Sequence, residues 1–359
     1  MFLNKSFYRL VSIFTLLIIV LFLSSACAGE KHSDDKKWLE KGNVQWGKKD
    51  YDNAILFFNK ALELNPQYAM AYNNRGGVYY SRGQYDLAVK DFNKAIELDP
   101  QLSLAYYNRG FASQFQGGHY DLAIKDYNKA IELNPKYVDA YNNRGNSYYC
   151  KGQYDIAIKD YNKAIELNPQ LALAYYNRGL AYESQGQYDV AIKNYTKAIE
   201  LDPQDVKIYY NRGHIYHSQG QYDLAITDYN KAIELNPQYA DTYNNRGNVY
   251  VFKGQYDLAI TDYNKVIELS PKYADAYNNR GKAYIFKGQY DLAIKECNKA
   301  IELNPQHANA YFNKAIAYNK LARNSEAIQA YKLFINYAPS THPAINKVKQ
   351  EIIRLGGTI

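Results

Sequence analysis

The amino-acid sequence predicts an all-α solenoid of stacked helical hairpins, and two features carry that prediction. Ala240–Tyr273 returns nearly letter for letter at Ala274–His307, and again at Val138–Leu171 and Ala69–Leu102. The shift is 34 residues, a period that marks a repeat array. Inside each copy, apolar and small residues recur at helical spacing in two runs, the first closed by a glycine and the second by a proline.

The copy beginning at Ala240 shows why. Tyr243, Arg246, Gly247 and Tyr250 fall on one helical stripe, and Gly254 closes that helix. Tyr256 opens a second run through Ala259, Ile260, Tyr263, Val266 and Ile267, with Asp257 in its first turn, where negative charge suits the helix dipole. Pro271 cannot continue a helix and ends it. Each repeat is therefore helix, turn, helix, with helices of about 12 to 14 residues. Gly247 and Ala259 are small where the two helices must approach.

Nine such units follow in register: Asp35–Tyr68, Ala69–Leu102, Ser103–Tyr137, Val138–Leu171, Ala172–Asp205, Val206–Tyr239, Ala240–Tyr273, Ala274–His307 and Ala308–Thr341. Most of the 40 tyrosines belong to this repeated pattern, so they mark duplication rather than a special chemistry. The third unit carries an extra residue at Gly117-Gly118-His119-Tyr120 and has Ser113 where the others mostly have tyrosine; it is expected to be the loosest. The end units are atypical, as capping requires: the first has Trp38, Lys41 and Trp46, the last Lys314, Ala315 and Ala322. Pro343–Leu355 reads as a final capping helix with Ile345, Val348, Ile352 and Leu355 on its apolar stripe, inside a 342–359 tail.

The first 28 residues differ from everything after them. Lys5 and Arg9 precede an apolar run, Leu10–Leu23, followed by Ser24, Ser25, Ala26, Cys27 and Ala28, the layout of a secretory signal. A helix over that run spans about 21 Å, short of the roughly 30 Å hydrocarbon core. A retained membrane helix would have to recruit Phe7, Tyr8 and Ala26. Residues 29–34 form a short polar connector.

The repeat pattern, with Tyr243, Gly247, Tyr250, Ala259, Tyr263 and Pro271 at its marker positions, resembles the tetratricopeptide repeat (TPR), and nine copies in register make the resemblance strong. It implies a right-handed solenoid of roughly one superhelical turn. Ser25-Ala26-Cys27 likewise resembles the end of a bacterial lipobox, which implies lipidation at Cys27, although Ser24 stands where that family prefers leucine. Ala26-Cys27-Ala28 also fits plain cleavage and secretion. Either way the expected location is the bacterial cell envelope, outside the cytoplasmic membrane, held by a lipid anchor or free in the periplasm.

The repeats and cap fill Asp35–Leu355 and leave no room for a catalytic domain, so the sequence predicts a protein that is not an enzyme, with no cofactor and no small-molecule substrate. His214 and His217 stand at i, i+3, but no carboxylate or cysteine lies in phase with them, and no metal site is expected. Cys150 reads as a partly exposed substitution and Cys297 as a buried replacement for a core tyrosine. They lie about four repeats apart and cannot pair. The formal charge of +7 is spread among interleaved lysines and glutamates with no separate basic tract, which argues against nucleic acid. Asp86 and Lys90, Asp121 and Lys125, Asp155 and Lys159, Asp189 and Lys193, and Asp291 and Lys295 suggest i, i+4 pairs.

One repeated charge asks for a partner. Arg75, Arg109, Arg144, Arg178, Arg212, Arg246 and Arg280 stand at position 7 of their repeats, on a half-buried stripe where the TPR family usually has leucine. Position 23 of the facing helix supplies Asp91, Asp126, Asp160, Asp228, Asp262 and Glu296, which predicts a bridge inside each middle repeat; Arg178 is the exception, opposite Asn194.

The TPR resemblance also implies that each first helix lines a concave groove. Position 6 of that helix is Asn74, Asn108, Asn143, Asn177, Asn211, Asn245, Asn279 and Asn313. This row is similar to the asparagine ladder in the TPR region of O-GlcNAc transferase, which grips extended peptides by their backbone. A carboxamide offers a donor and an acceptor, as a peptide bond does. The carboxamides are expected to face solvent. Tyr107, Tyr176, Tyr210 and Phe312 at position 5, with Phe252 and Phe286 at position 13, are expected to flank the row as pockets for apolar side chains. Asparagines that instead bond the next repeat, and aromatics that instead pack between repeats, are the structural alternative. Lys207 and Lys282 are the only groove cations in the middle repeats, too few for a clamp on acidic tails.

The functional expectation is a non-catalytic scaffold that binds an extended peptide or protein segment in the groove. Two alternatives stand beside it: an assembly subunit in envelope biogenesis or secretion working through its convex face or ends, and a regulatory subunit of a separate glycosyl-transferring or polysaccharide-synthesising enzyme.

Overall fold

The structure is a computed structural model that describes residues 34–358. The signal segment, Cys27 and most of the connector lie outside the described residues. Among these residues there are nineteen helices and no strand. They form two compact units, one ending at Gln187 and the other beginning at Tyr188.

In the first unit the helices are α1 (Asp34–Gly47), α2 (Tyr51–Leu64), α3 (Ala69–Ser81), α4 (Tyr85–Leu98), α5 (Ser103–Gly117), α6 (Tyr120–Leu133), α7 (Val138–Cys150), α8 (Tyr154–Leu167) and α9 (Ala172–Ser184). The second unit holds α10 (Tyr188–Leu201), α11 (Val206–Ser218), α12 (Tyr222–Leu235), α13 (Ala240–Phe252), α14 (Tyr256–Leu269), α15 (Ala274–Phe286), α16 (Tyr290–Leu303), α17 (Ala308–Lys320), α18 (Asn324–Tyr337) and α19 (Ile345–Arg354). Within each unit, every helix packs on the next one in the chain, so the sequence order is the stacking order.

Close approach within a hairpin rests on one glycine and one ring. A Cβ added at Gly247 would come within 2.8 Å of the Tyr263 ring, at Gly145 within 2.7 Å of Tyr161, at Gly76 within 2.8 Å of Phe92 and at Gly42 within 2.4 Å of Phe58. The ring therefore fills the space that a side chain would need. Ala259, the other small residue singled out by sequence, is fully buried beneath it. Each ring then meets the next repeat: Tyr263 and Ala259 cluster with Ala283, Tyr229 and Ala225 with Val249, and Phe92 and Ala88 with Ala112. The core is thus a chain of small clusters, each shared by neighbouring repeats.

The turn glycines Gly83, Gly152, Gly186, Gly220, Gly254 and Gly288 have φ between 72° and 75°, the left-handed region. Lys49 (φ 63°) and Ala322 (φ 56°) take that conformation in the first and last repeats without the glycine that suits it. The extra residue of the third repeat is absorbed by lengthening a helix: α5 has 15 residues where α3 and α7 have 13, and Gly118 (φ 71°) caps it. Ser113 and Gln114 are buried there, and Gln114 Oε1 accepts from the Tyr127 hydroxyl at 3.0 Å. At the C-terminus, α19 presses Val348 and Ile352 onto Tyr331 and Phe334 and caps the last hairpin.

Position-7 arginines form the predicted bridges. Arg246 Nε and Nη2 donate to Asp262 at 2.8 and 2.6 Å; Arg75, Arg109, Arg144 and Arg212 fork onto Asp91, Asp126, Asp160 and Asp228 in the same way, and Arg280 reaches Glu296. The third donor was not foreseen. Arg246 Nη1 reaches Asn230 Oδ1 of the preceding repeat at 2.5 Å, and Arg75, Arg109, Arg144, Arg178, Arg212 and Arg280 reach Asn59, Asn93, Asn128, Asn162, Thr196 and Asn264. One guanidinium thus ties three helices from two repeats. Burial pulls the Arg246 guanidinium down, but hydrogen bonds and charge from Asp262 outweigh it and the net shift is upward; at Arg178 burial wins and the shift is downward.

The suggested i, i+4 pairs do not form, and four of the five acids turn to the next repeat. Asp86 accepts from Gln116, Asp121 from Lys151, Asp155 from Gln185 at 2.7 Å and Asp189 from Gln219 at 3.1 Å. The lysines that do pair within a helix sit one turn from its end, as Lys265 does with Glu268 at 2.6 Å.

A double-mutant cycle on Arg246 and Asp262 is expected to show a coupling energy of about 1.5–3 kcal/mol, the worth of hydrogen bonds to a charged group. Denaturant titration with zero coupling would remove the bridge from the account of stability.

The buried tyrosines give a sharper test. Tyr263 and Tyr161 donate to Asn248 and Asn146 at 2.7 Å, whereas the Tyr229 hydroxyl and the Thr242 hydroxyl are buried with no partner. Tyr263→Phe should therefore cost about 0.5–1.5 kcal/mol, while Tyr229→Phe and Thr242→Ala should be neutral or stabilising. Equal losses for Tyr263→Phe and Tyr229→Phe would contradict the hydroxyl assignments.

Candidate binding face of the first helices

The position-6 asparagines are less free than the sequence suggested. Asn74, Asn177 and Asn313 are buried, and Asn108, Asn143, Asn211, Asn245 and Asn279 are half-buried. The expectation that these carboxamides face solvent is corrected by the repeats' close stacking. Asn108 Nδ2 donates to Asn73 Oδ1 at 2.9 Å, Asn177 to Asn142 at 3.0 Å, Asn279 to Asn244 at 3.1 Å and Asn313 to Asn278 at 2.9 Å. Asn74 donates to Asn43 of the first repeat at 2.9 Å. Each of these donors reaches one repeat back.

Where position 5 is tyrosine, its hydroxyl takes over the acceptor role. Asn143 Nδ2 donates to the Tyr107 hydroxyl and Asn245 Nδ2 to the Tyr210 hydroxyl, both at 2.9 Å. At three position-5 asparagines the relay continues within the helix: Asn73 donates to Asn74 at 3.0 Å, Asn142 to Asn143 at 3.3 Å and Asn278 to Asn279 at 3.2 Å. The Asn/Tyr alternation at position 5 is thus one hydrogen-bond acceptor written two ways. A primary carboxamide has two N–H donors and two oxygen lone pairs. After these bonds, a half-buried member such as Asn279 retains one N–H and one lone pair.

The aromatics divide into two groups. Tyr107 and Tyr176 are buried; Tyr107 packs with Ala123, Tyr127, Ala130 and Ala140. Phe312 lies on Phe334, centroids 5.1 Å apart, under the C-terminal cap. These three are packing residues rather than open pockets. Tyr210 is half-buried, 5.2 Å from Tyr239. Phe252 and Phe286 are exposed and stack flat on Tyr222 and Tyr256, at 5.7 and 5.2 Å. Sequence reasoning passed over Phe111 at position 9, which joins Tyr80 (5.2 Å) and Phe115 (4.8 Å) in a half-buried aromatic strip on α3 and α5. Position 9 belongs to the groove set that the resemblance implies, so the residue was findable.

The titratable candidates have local explanations. His217 lies edge-on to Phe252 at 5.4 Å, its imidazole pushed down first by burial and then by His214. Burial holds the Cys297 thiol up at about 12, against the Gly281 backbone, so it stays protonated and inert. Burial also raises the Cys150 thiol, beside Tyr120. Lys207 is pushed down to about 8 by burial, with Asp205 opposing. Among the described residues no three His, Cys, Asp or Glu side chains are placed to hold a metal ion, and no helix is long and apolar enough to cross a membrane.

Comparison with known proteins places the chain. Family models for the TPR repeat match residues 76–117, 113–152, 145–186, 184–220, 213–254 and 247–285. Models described as tetratricopeptide repeat match residues 36–68 and 274–307, and residues 57–90 and 296–329. No curated protein matches the chain. Among solved structures, it is similar to the C-terminal part of a TPR repeat-containing protein from Cytophaga hutchinsonii, with 24% identity, TM-score 0.53, and 67% of this chain and 98% of that one covered. It is similar to the Cut9–Hcn1 hetero-tetramer of the APC/C, with 17% identity, TM-score 0.53, and 96% and 82% covered. It is also similar to YrrB, a TPR protein with an unusual peptide-binding site, with 29% identity, TM-score 0.48, and 52% and 97% covered. At these identities the likeness concerns the fold. With its helical hairpins, its glycine–ring contacts and family matches running from residue 36 to residue 329, this chain belongs to the tetratricopeptide-repeat family.

Proposed function

We propose that this TPR protein is a protein-interaction scaffold whose first helices hold an extended peptide segment by its backbone. The observation that carries the reading is the asparagine relay. Asn279 is locked by bonds to Asn244 and Asn278, yet this half-buried carboxamide keeps one N–H and one lone pair beyond them. A donor–acceptor row fixed in orientation suits a peptide backbone, because little ordering remains to be done on binding.

Because the carboxamides also join repeats, the test must separate binding from stability. Asn245→Ala and Asn279→Ala together should weaken capture of backbone-matched peptides by about 1–3 kcal/mol, roughly 5- to 150-fold, whatever their side chains. Tyr210→Phe removes the acceptor of Asn245 but leaves the carboxamide in place, so it should lower stability and cost clearly less affinity than the double variant. Binding to an array of nonapeptides, read beside denaturant titrations, distinguishes the two. Unchanged capture by the folded double variant would move the site off this face.

A second reading has its own observation. Leu87, Leu122 and Ile156 in the first unit, and Leu224, Leu258 and Leu292 in the second, are exposed in the first turn of their second helices, where Asn53 and Glu326 stand in the end repeats. Apolar side chains recurring at one exposed place favour an assembly role through the outer helices.

We further place the protein at the cell envelope, on the strength of Leu10–Leu23 and the Ser25-Ala26-Cys27 sequence. Wild-type protein should take up a fatty-acid label and sediment with membranes, and Cys27→Ser should abolish both. A wild type that is unlabelled and soluble would indicate plain secretion.

A further inference from the structure

A cleft of about 750 Å³ opens between the α12–α13 and α14–α15 turns, lined by Tyr239, Asp241, Tyr273, Lys272 and the Ser270-Pro271 backbone. Tyr239 backs onto Tyr210, centroids 5.2 Å apart, and the Tyr210 hydroxyl accepts from Asn245 of the ladder. Through Tyr210, one wall of the cleft is thus linked to the asparagine row. Asp241 is exposed, and among the described residues its carboxylate makes no hydrogen bond or ion pair. Tyr239 and Tyr273 line the cleft with Asp241, and their phenols, like that of Tyr210, are raised by burial first and also by the Asp241 charge.

The chemistry of that set selects its guest. Aromatic faces carry negative potential and attract cations, more so beside a carboxylate. Pro271 has no N–H to offer an anion. An uncharged guest would cover Asp241 and leave a carboxylate short of water. We infer that this cleft takes the cationic side chain, lysine or arginine, of a peptide lying along the asparagine row; the inference rests on the groove reading above.

Two related places in the chain show what makes this one open. In the first unit, Tyr107, Tyr137 and Asp139 repeat the arrangement of Tyr210, Tyr239 and Asp241, with Tyr107 and Tyr137 centroids 4.8 Å apart. There Leu171 replaces the third tyrosine, Tyr107 is 7% exposed, and the Tyr137 hydroxyl is buried without a partner. One repeat beyond the cleft, Asp275 is already engaged by His307 Nε2 at 3.1 Å. Asp241 alone of the three is both exposed and unengaged. Among the lining residues, Lys272 carries the charge that opposes a cationic guest.

The test uses two blocked Gly-Ser nonapeptides that differ only in a central lysine or norleucine, titrated calorimetrically into the full chain at low salt. The lysine peptide should bind about tenfold more tightly. Asp241→Asn and Tyr273→Leu should each bring the ratio near one, Asp139→Asn should leave it unchanged, and Lys272→Ala should increase it. A preference that survives Asn245→Ala/Asn279→Ala with both affinities unchanged supports the cation site while overturning the groove; a preserved ratio with both affinities lowered supports both. Equal affinities that both fall in that ladder variant overturn the cation site and leave the groove standing. Binding of neither peptide overturns both.

Discussion

A single guanidinium reaching three helices is the constraint on which the middle of each unit depends. A helical hairpin of this size cannot bury enough apolar surface by itself, and its stability comes from the next hairpin. Apolar contacts between repeats are small here, built from residues such as Ala283 and Ala112 against single rings. Such contacts are weakly directional. The arginine fork adds direction, because its two parallel bonds fix the acid on the facing helix and its third donor fixes the helix before. A half-buried arginine without those partners would be costly and, although Arg178 is kept with Asn194 at position 23 of its repeat, this favours losing arginine and acid together. The first and last repeats do so: Lys41 and Lys314 stand with Phe57 and Ala330.

The same one-repeat-back logic governs the polar face. Asparagine at position 6 reaches back along the first helices, arginine reaches back to the preceding second helix, and the turn residues Lys151, Lys253 and Lys287 reach back to Asp121, Asp223 and Asp257. Within each unit, three sets of polar contacts therefore recur from repeat to repeat. Each is periodic because the backbone is. A polar residue retained at one position is satisfied by the copy before it, and duplication carries donor and acceptor forward together.

Much of this was legible in the sequence because it is intrahelical or lies within one hairpin. The 34-residue period, Gly254 at the turn, and Arg246 facing Asp262 follow from helical geometry and spacing alone. What escaped was contact between repeats, which depends on how one hairpin lies on the next. Asn230 as a ligand of Arg246 could not be seen from either helix singly, nor could Asp86 choosing Gln116 over Lys90. The solvent-facing asparagines were misplaced for the same reason: the family's groove positions give a direction, but the depth of each side chain is set by the neighbouring repeat.

That correction changes the physical sense of the ladder. A free asparagine must be ordered when it binds, and side-chain ordering opposes affinity. Here Asn279 is already oriented by Asn244 behind it and Asn278 beside it, at the expense of one donor and one lone pair. A carboxamide so fixed loses half its capacity but little further entropy on binding. The tyrosine substitutions make the row uneven. At Asn245 the relay ends on a phenol whose ring belongs to a wall that also holds Asp241 and Tyr239. In the proposed reading, backbone recognition would meet side-chain chemistry at one repeat boundary. A row of asparagines alone would be indifferent to ligand sequence; under the proposed reading, selectivity would come from side chains beside the row, and Asp241 differs from its counterparts Asp139 and Asp275 in being both exposed and unengaged, with an open cleft beside it.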